Sequence, residues 1–135
     1  MNQFIDTNNM SVGVVGLGLM GCSITTCLLI AGHPVVAVAP IPDDLKHAEK
    51  RILEHLRKSR EESLVSNMPE YYLSHLTITE DYSLLKDCSL VIECTIENID
   101  ILIKIIKLDQ NSNLKYKASL AYQINLQSKF SLFIN

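Results

Sequence analysis

Three glycines near the start of the chain have the spacing of a phosphate-binding turn. Gly16, Gly18 and Gly21 form the pattern G-x-G-x-x-G directly after an apolar run at residues 11–15. In a strand–turn–helix unit the first glycine makes the tight turn, the second lets a pyrophosphate approach the backbone, and the third lets helix and strand pack closely. The phosphates would lie on the unpaired amides at the helix N-terminus. We interpret the pattern as a dinucleotide-binding turn, with close strand–helix packing alone as the alternative.

The histidines do not have surroundings in the sequence that predict acid–base catalysis. His33 is predicted to lie in a turn, and His75 directly precedes a predicted strand. His47 and His55 belong to the pattern of a surface helix. A general base needs a positioned partner and access to its substrate. We therefore interpret all four as solvated or structural histidines and assign no catalytic residue.

The cysteine spacing predicts neither a zinc site nor a redox pair. The sequence contains no C-x-x-C pair, and an unpaired cysteine is most often a buried thiol. The cysteines are Cys22, Cys27, Cys88 and Cys94. We expect four buried thiols and no metal.

Composition and charge argue against two classes of partner. The 135 residues have a net charge of −3 and no basic stripe with interleaved aromatic side chains, so we expect no nucleic acid. The longest apolar tract, residues 88–108, is interrupted by charged side chains, which argues against a membrane span. Residues 1–10 are polar and lack the pattern of a secretory signal. We expect a disordered N-terminus there and a cytoplasmic location.

The elements that position the glycines are predicted as a strand–helix–strand unit. Residues 11–15 and 35–39 are short apolar strands on either side of a helix at residues 19–31. Gly32 is placed to end that helix at its C′ position. The apolar side chains that recur along the helix are Ile24, Cys27, Leu28 and Ala31.

A helical excursion is predicted after the second strand. Residues 45–64 have the pattern of an amphipathic helix, with Asp43 or Asp44 as its N-cap. A shorter helix begins at Pro69, a favoured first position.

The rest of the unit alternates strands and helices. Strands are predicted at residues 77–79 and 90–92, with one helical turn capped by Asp81 between them and a further helix at residues 99–108. This order predicts an α/β fold over residues 11–109: a Rossmann-like doubly wound parallel sheet, incomplete, with a helical excursion after strand two.

The composition changes after residue 109. Residues 110–135 contain no Gly, Pro, Asp or Glu. Two short runs, residues 119–122 and 130–134, have strand propensity, with nothing in the sequence that fixes their register. We interpret this segment as an atypical tail of the kind that a truncated or frame-shifted end produces.

A second motif follows the last predicted strand. Residues 91–98 read V-I-E-C-T-I-E-N, after G-L-G-L-M-G at residues 16–21. With these motifs, residues 11–108 resemble the NAD-binding domain of the 3-hydroxyacyl-CoA dehydrogenases, whose pattern is V-I-E-A-x-x-E-(N/D). The resemblance implies an oxidoreductase of fatty acid metabolism that converts 3-hydroxyacyl-CoA to 3-oxoacyl-CoA with NAD. It places Glu97 near the nicotinamide-side ribose, and it implies a phosphate turn made of Gly16, Gly18, Leu19, Met20 and Gly21.

The sequence departs from that family at three places. Ala39 stands at the end of strand two, where the family has an acid that binds the adenosine ribose. NADP stays open as the cofactor, although Asp43 and Asp44 would repel its 2′-phosphate. Leu102 stands where the family has a lysine. After residue 109 nothing matches the family's catalytic histidine, its partner glutamate or its helical dimerisation domain.

These departures lead to one hypothesis and two alternatives. The chain would bind a dinucleotide and be inactive alone, with acyl-CoA as a partner by resemblance only and the oligomeric state left open. The first alternative is a non-catalytic nucleotide-binding or partner-docking module. The second is the 3-hydroxyisobutyrate and 6-phosphogluconate dehydrogenase group, whose first turn reads G-L-G-x-M-G but which lacks the long helical pair.

Overall fold

The computed structural model describes residues 10–95 in full and, further along, the backbone of two strands. Glu97, Leu102 and the helix predicted at residues 99–108 lie outside the described residues. In chain order the described elements are β1 Val12–Val15, α1 Leu19–Ile30, β2 Val35–Val38, α2 Pro42–Glu61, α3 Pro69–Leu73, β3 Leu76–Thr79, a 3₁₀ helix Tyr82–Asp87, β4 Leu90–Glu93, β5 Tyr116–Ala121 and β6 Lys129–Ile134.

The strands form one sheet in the order β3-β2-β1-β4-β5-β6. β1 to β5 run parallel, and β6 pairs antiparallel with β5. In the middle of the sheet, Val12 of β1 lies opposite both Val35 of β2 and Leu90 of β4. The carboxyl ends of these three strands therefore meet at one edge, which is where open parallel sheets bind ligands. The predicted Rossmann-like α/β fold is confirmed.

Successive strand residues face two apolar clusters on opposite sides of the sheet, because side chains alternate along a strand. Val14 and Ala37 belong to the cluster that includes residues of α1 and α2. Val15 and Val38 belong to the other cluster, together with Leu85 of the 3₁₀ helix. Every residue of β1 is buried, as expected for a central parallel strand.

Three predicted helix boundaries are confirmed. Gly32 ends α1 with φ +94°, and its N–H donates to Leu29 O while the N–H of His33 donates to Leu28 O, both at 3.0 Å. This pair of bonds is a Schellman motif. Pro69 begins α3. The carboxylate of Asp81 caps the 3₁₀ helix by accepting from the N–H of Ser83 at 2.9 Å.

The predicted apolar face of α1 is correct for two of its four residues. Ile24 and Leu28 are half-buried and pack against the core cluster, whereas Cys27 and Ala31 are exposed. The helix approaches the sheet on a side made mostly of small residues, so close packing rather than hydrophobicity sets its rotation. The residues buried on that side are Gly21, Cys22, Thr25, Thr26 and Leu29.

α2 runs from Pro42 to Glu61 rather than over residues 45–64. Its N-cap is Ile41, so the prediction that Asp43 or Asp44 caps it is wrong. Proline suits the first helical position because its φ is already helical and its missing N–H has no partner there. At the other end Ser63 adopts φ +59°, which ends the helix earlier than the periodicity predicts.

The tail continues the sheet, and its register is set by pairing with β4 and β5 rather than by a signal in the sequence. β5 pairs with β4, with Tyr116 opposite Leu90. β6 then pairs with β5, with Ile134 opposite Tyr116. Both strands begin before the predicted runs, because the edge of β4 offers backbone hydrogen-bond partners that the sequence pattern does not reveal.

Candidate dinucleotide site

Gly16 turns the chain from β1 toward α1. Its φ is +97°, in the region that only glycine enters at little cost. Its N–H donates to Val38 O at 2.9 Å, which ties the turn to the end of β2. A Cβ at Gly16 would lie 3.0 Å from Thr95 N and 3.0 Å from Thr95 Cγ2. Gly16 therefore lets the chain that follows β4 pack directly on the turn.

Gly21 is the point where α1 touches the turn. A Cβ there would lie 1.7 Å from Gly16 O and 2.8 Å from Gly16 C. No side-chain movement relieves an overlap with backbone atoms, so any other residue at Gly21 moves α1 away from β1. The third glycine therefore has the close-packing role that the sequence pattern predicts.

Gly18 differs from the other two because packing among the described residues does not require a glycine. Its φ is −70°, and a Cβ there would meet no heavy atom within 4 Å. Among the described residues, the space next to Gly18 is therefore open. Beside it Leu19 and Met20 are 77% and 48% exposed, respectively.

The N-terminus of α1 is also open. No described side chain caps it, and its first turn contains no acid. The first helical bond runs from Cys22 N–H to Gly18 O at 3.0 Å, so the amides of Leu19, Met20 and Gly21 precede the helical ladder. Unpaired amides together with the helix dipole attract an anionic group.

A buried carboxylate at the end of β4 forms hydrogen bonds with Thr95, two residues further along the chain. Glu93 is 3% exposed, and its Oε1 accepts hydrogen bonds from the backbone N–H of Thr95, at 2.6 Å, and from the Thr95 hydroxyl. These bonds hold Thr95 where it contacts Gly16. Sequence reasoning quoted Glu93 only as part of a motif, and its place at the end of a buried strand was the signal that could have indicated this role.

The end of β2 has no acid for a ribose. Ala39 is 2% exposed and belongs to the apolar cluster beneath α2. Asp43 is exposed in the first turn of α2. The Oδ1 of Asp44 lies 3.2 Å from Arg51 Nη1, and the same nitrogen donates to Leu17 O at 3.2 Å. Asp44 is therefore paired within the protein, a contact that the sequence pattern did not indicate.

The described histidines make no hydrogen bond to the glycine turn. His33 Nδ1 is 3.1 Å from Met10 O, and His75 precedes β3, so both lie at the amino ends of strands. His47 Nδ1 lies 2.7 Å from the backbone of its own helix, at Asp43 O. His55 faces α1, where its Nδ1 is 3.5 Å from Thr26 Oγ1. These positions support structural or solvated roles.

The cysteines are not all buried, so that expectation is wrong for Cys27. Cys22 and Cys88 are buried, Cys94 is half-buried and Cys27 is exposed. Burial, with a smaller contribution from the Glu93 carboxylate, raises the pKa of Cys94 to about 12. A thiol with this pKa stays protonated near neutral pH and is a poor nucleophile.

We expect the free energy of unfolding to fall as the pH rises from 9.0, the ordinary pKa of Cys94, to about 12, its folded value. In this window the unfolded chain releases a proton that the folded chain keeps, so alkali favours unfolding; below it the contribution is fully present. Urea unfolding across the lower part of the window measures the slope. With Cys94→Ala the free energy of unfolding should fall less steeply with pH than in the unchanged chain. Equal slopes would contradict a raised pKa at Cys94.

Among the described residues there is neither a membrane-spanning helix nor a cluster of metal-binding side chains. No helix there is both long and apolar enough to cross a membrane. In the same residues no three His, Cys, Asp or Glu side chains come together as a metal site would need.

The parallel sheet, the glycine turn at its carboxyl edge and the open N-terminus of α1 define a Rossmann-type dinucleotide-binding domain. The family model of the 3-hydroxyacyl-CoA dehydrogenase NAD-binding domain matches residues 11–115, and the chain belongs to this family.

Named relatives match the same part of the chain. The peroxisomal fatty acid beta-oxidation multifunctional protein of Oryza sativa subsp. japonica is 37% identical over 89 residues, which cover 65% of this chain and 12% of that protein. The probable 3-hydroxybutyryl-CoA dehydrogenase of Deinococcus radiodurans is 32% identical over 89 residues, which cover 66% of this chain and 32% of that protein. The chain thus spans a third or less of these curated relatives.

Solved structures agree with this assignment. The crystal structure of M. tuberculosis FadB2 superposes with a TM-score of 0.74 at 29% identity, over 88% of this chain and 43% of that one. The (S)-3-hydroxybutyryl-CoA dehydrogenase PaaH1 of Ralstonia eutropha gives a TM-score of 0.69 at 25% identity, over 82% of this chain and 40% of that one.

Proposed function

We propose that this domain binds NAD(H) at the carboxyl edge of the sheet and forms the cofactor site of a 3-hydroxyacyl-CoA dehydrogenase. The supporting observation is the open space above Gly18, next to the uncapped N-terminus of α1. The pyrophosphate would lie against the turn from Gly16 to Gly21 and accept hydrogen bonds from the amides of Leu19 and Met20. We propose Glu97 for the nicotinamide-side ribose on the family resemblance alone.

NAD rather than NADP is the proposed cofactor. A 2′-phosphate is recognised by a free arginine near the end of β2, but Arg51 is already engaged by Asp44 and by Leu17 O. The exposed carboxylate of Asp43 would repel the 2′-phosphate of NADP. Because the Ala39 side chain has no oxygen that could accept hydrogen bonds from the adenosine ribose, we expect weaker NAD(H) binding than an acid at this position would give.

The described residues of this chain bind and orient the cofactor in this proposal. The nicotinamide, when bound, supplies a hydride acceptor for oxidation of a 3-hydroxyacyl-CoA to a 3-oxoacyl-CoA, a reaction of fatty acid metabolism that we place in the cytoplasm. The hydrogen bonds that the described histidines make go to Met10 O, Asp43 O and Thr26 Oγ1 and to groups around α3, and none joins a histidine to the glycine turn. We therefore propose that this chain alone binds the cofactor without turnover.

We expect the purified chain to bind NADH saturably and NADPH at least tenfold more weakly, a difference of about 1.4 kcal/mol. Parallel titrations of the two reduced cofactors, followed by nicotinamide fluorescence, measure both dissociation constants. ADP-ribose should displace NADH, because it carries the same pyrophosphate. Adding acetoacetyl-CoA should cause no NADH oxidation over time. Failure to bind either cofactor would overturn the proposal, and steady oxidation would contradict the absence of turnover.

A further inference from the structure

We propose that Arg51 is a positioning residue, which holds the peptide between Leu17 and Gly18 so that the Gly18 N–H faces the pyrophosphate. This inference rests on the proposed function, since it assigns a task within the same binding site. Arg51 lies on α2, outside the glycine pattern, and its side chain reaches across to the turn from a separate element. The geometry around Leu17 O carries the inference.

Two side chains, those of Arg51 and Cys22, form hydrogen bonds to the carbonyl oxygen of Leu17. Arg51 Nη1 donates to it at 3.2 Å, and Cys22 Sγ lies 3.3 Å from the same oxygen. The Leu17 side chain is fully buried, which fixes the residue on its other side. An oxygen with two such partners cannot rotate outward without losing both.

The fixed carbonyl determines where the next amide points. The described chain has no cis peptide bond, and in a trans peptide the N–H points opposite to the C=O of the same planar unit. Because Leu17 O points toward Cys22 and Arg51, the Gly18 N–H points away from them. A Cβ at Gly18 would meet no heavy atom of the described residues within 4 Å, so these residues leave room for a ligand beside Gly18.

Asp44 fixes the direction of the arginine. Its Oδ1 lies 3.2 Å from Arg51 Nη1, the same nitrogen that contacts Leu17 O. An Nη nitrogen carries two hydrogens, so one can be directed to each oxygen. The Arg51 and Asp44 side chains are 33% and 18% exposed, so the pair is only partly solvated. The arrangement links the first turn of α2 to the glycine turn.

Arg51→Met tests the inference, because methionine keeps the apolar stem and removes both hydrogen bonds. We expect NADH to bind about tenfold more weakly than to the unchanged chain. Arg57→Met is the matched control, since Arg57 is exposed on the same helix, and its affinity should stay within about twofold. The loss should persist in high salt, whereas attraction by charge alone would be screened. Equal effects of the two substitutions would overturn the inference.

A second readout does not depend on the cofactor. In ¹⁵N-labelled protein without cofactor, Arg51→Met should shift the Gly18 amide resonance and leave that of Gly32 in place. Arg51→Lys, which keeps a charged donor group, should shift the Gly18 resonance less and recover part of the affinity. The lysine variant also replaces the methionine variant if the latter does not fold. An unmoved Gly18 resonance would overturn the inference even if the unchanged chain binds NADH. Absence of NADH binding by the unchanged chain would overturn the proposed function instead.

Discussion

Gly21→Ala should destabilise the domain by about 3 kcal/mol or more, the upper range of overpacking substitutions. The added Cβ would lie 1.7 Å from the carbonyl oxygen of Gly16. The overlapping atoms of Gly16 belong to the backbone and cannot move aside as a side chain would. Helix α1 must therefore move away from β1, which opens the apolar cluster between them. A loss of this size is a large part of the total stability of a small domain. Urea unfolding followed by far-ultraviolet circular dichroism measures it.

Gly18→Ser is the matched control for this substitution. It adds a Cβ to the same turn at a position with no heavy atom within 4 Å. Serine is also a favoured N-cap residue, so the midpoint of unfolding should stay the same or rise slightly. If Gly21→Ala unfolds at the urea concentration of the unchanged chain, α1 does not approach the turn as closely as the structure places it.

Gly18→Asp should weaken NADH binding at least 100-fold, or about 2.7 kcal/mol, without unfolding the domain. Its carboxylate would occupy the open space beside the N-terminus of α1 and accept hydrogen bonds from the amides proposed for the pyrophosphate. It would also repel the phosphates, and like charges brought together are costly. The same carboxylate caps the helix and should raise the free energy of unfolding by up to about 1 kcal/mol. Fluorescence titration measures the NADH dissociation constant, and urea unfolding measures the free energy of unfolding.

Cys27→Asp is the control for the added charge. Cys27 is exposed on α1, about two and a half turns beyond Gly18, so its substitution should change NADH affinity by less than about threefold. If Gly18→Asp binds NADH as tightly as the unchanged chain, the pyrophosphate does not pass over the turn. Unfolding of the Gly18 variant would contradict the open space at that position.

Most of the fold was predictable from local signals. The sequence pattern predicts β1, β2, β3 and β4 to within one residue at each end. For the central strand β1 the reason is that parallel strands buried on both faces are continuously apolar. The edge strand β3 is only partly buried, and its threonine and isoleucine residues indicate it by strand propensity. Gly32 and Pro69 marked helix boundaries because their backbone preferences act whatever surrounds them. The start of α2 lies three residues before the predicted one, because Pro42 takes the first helical position and the apolar periodicity begins only at Leu45.

The glycine pattern of the site could be predicted from the sequence, but the contacts that hold the glycine turn in place could not. The separate roles of Gly16, Gly18 and Gly21 follow from the spacing, and the structure gives each a different environment. The contact of Arg51 with Leu17 O joins residues 34 positions apart, so no local pattern reveals it. The buried side of α1 was missed for a related reason: its rotation depends on the contact at Gly21, whereas periodicity reports only hydrophobicity.

Folding and ligand binding make unequal demands on the three glycines, and this has an evolutionary consequence. Selection for a folded domain alone would retain Gly16 and Gly21, since both are enclosed by backbone or by Thr95. It would let Gly18 drift toward serine or aspartate, which cap a helix better. A lineage that lost its ligand would therefore change first at Gly18, long before its fold decayed. This chain still has glycine at position 18, where, of the three positions, folding of the described residues requires glycine least.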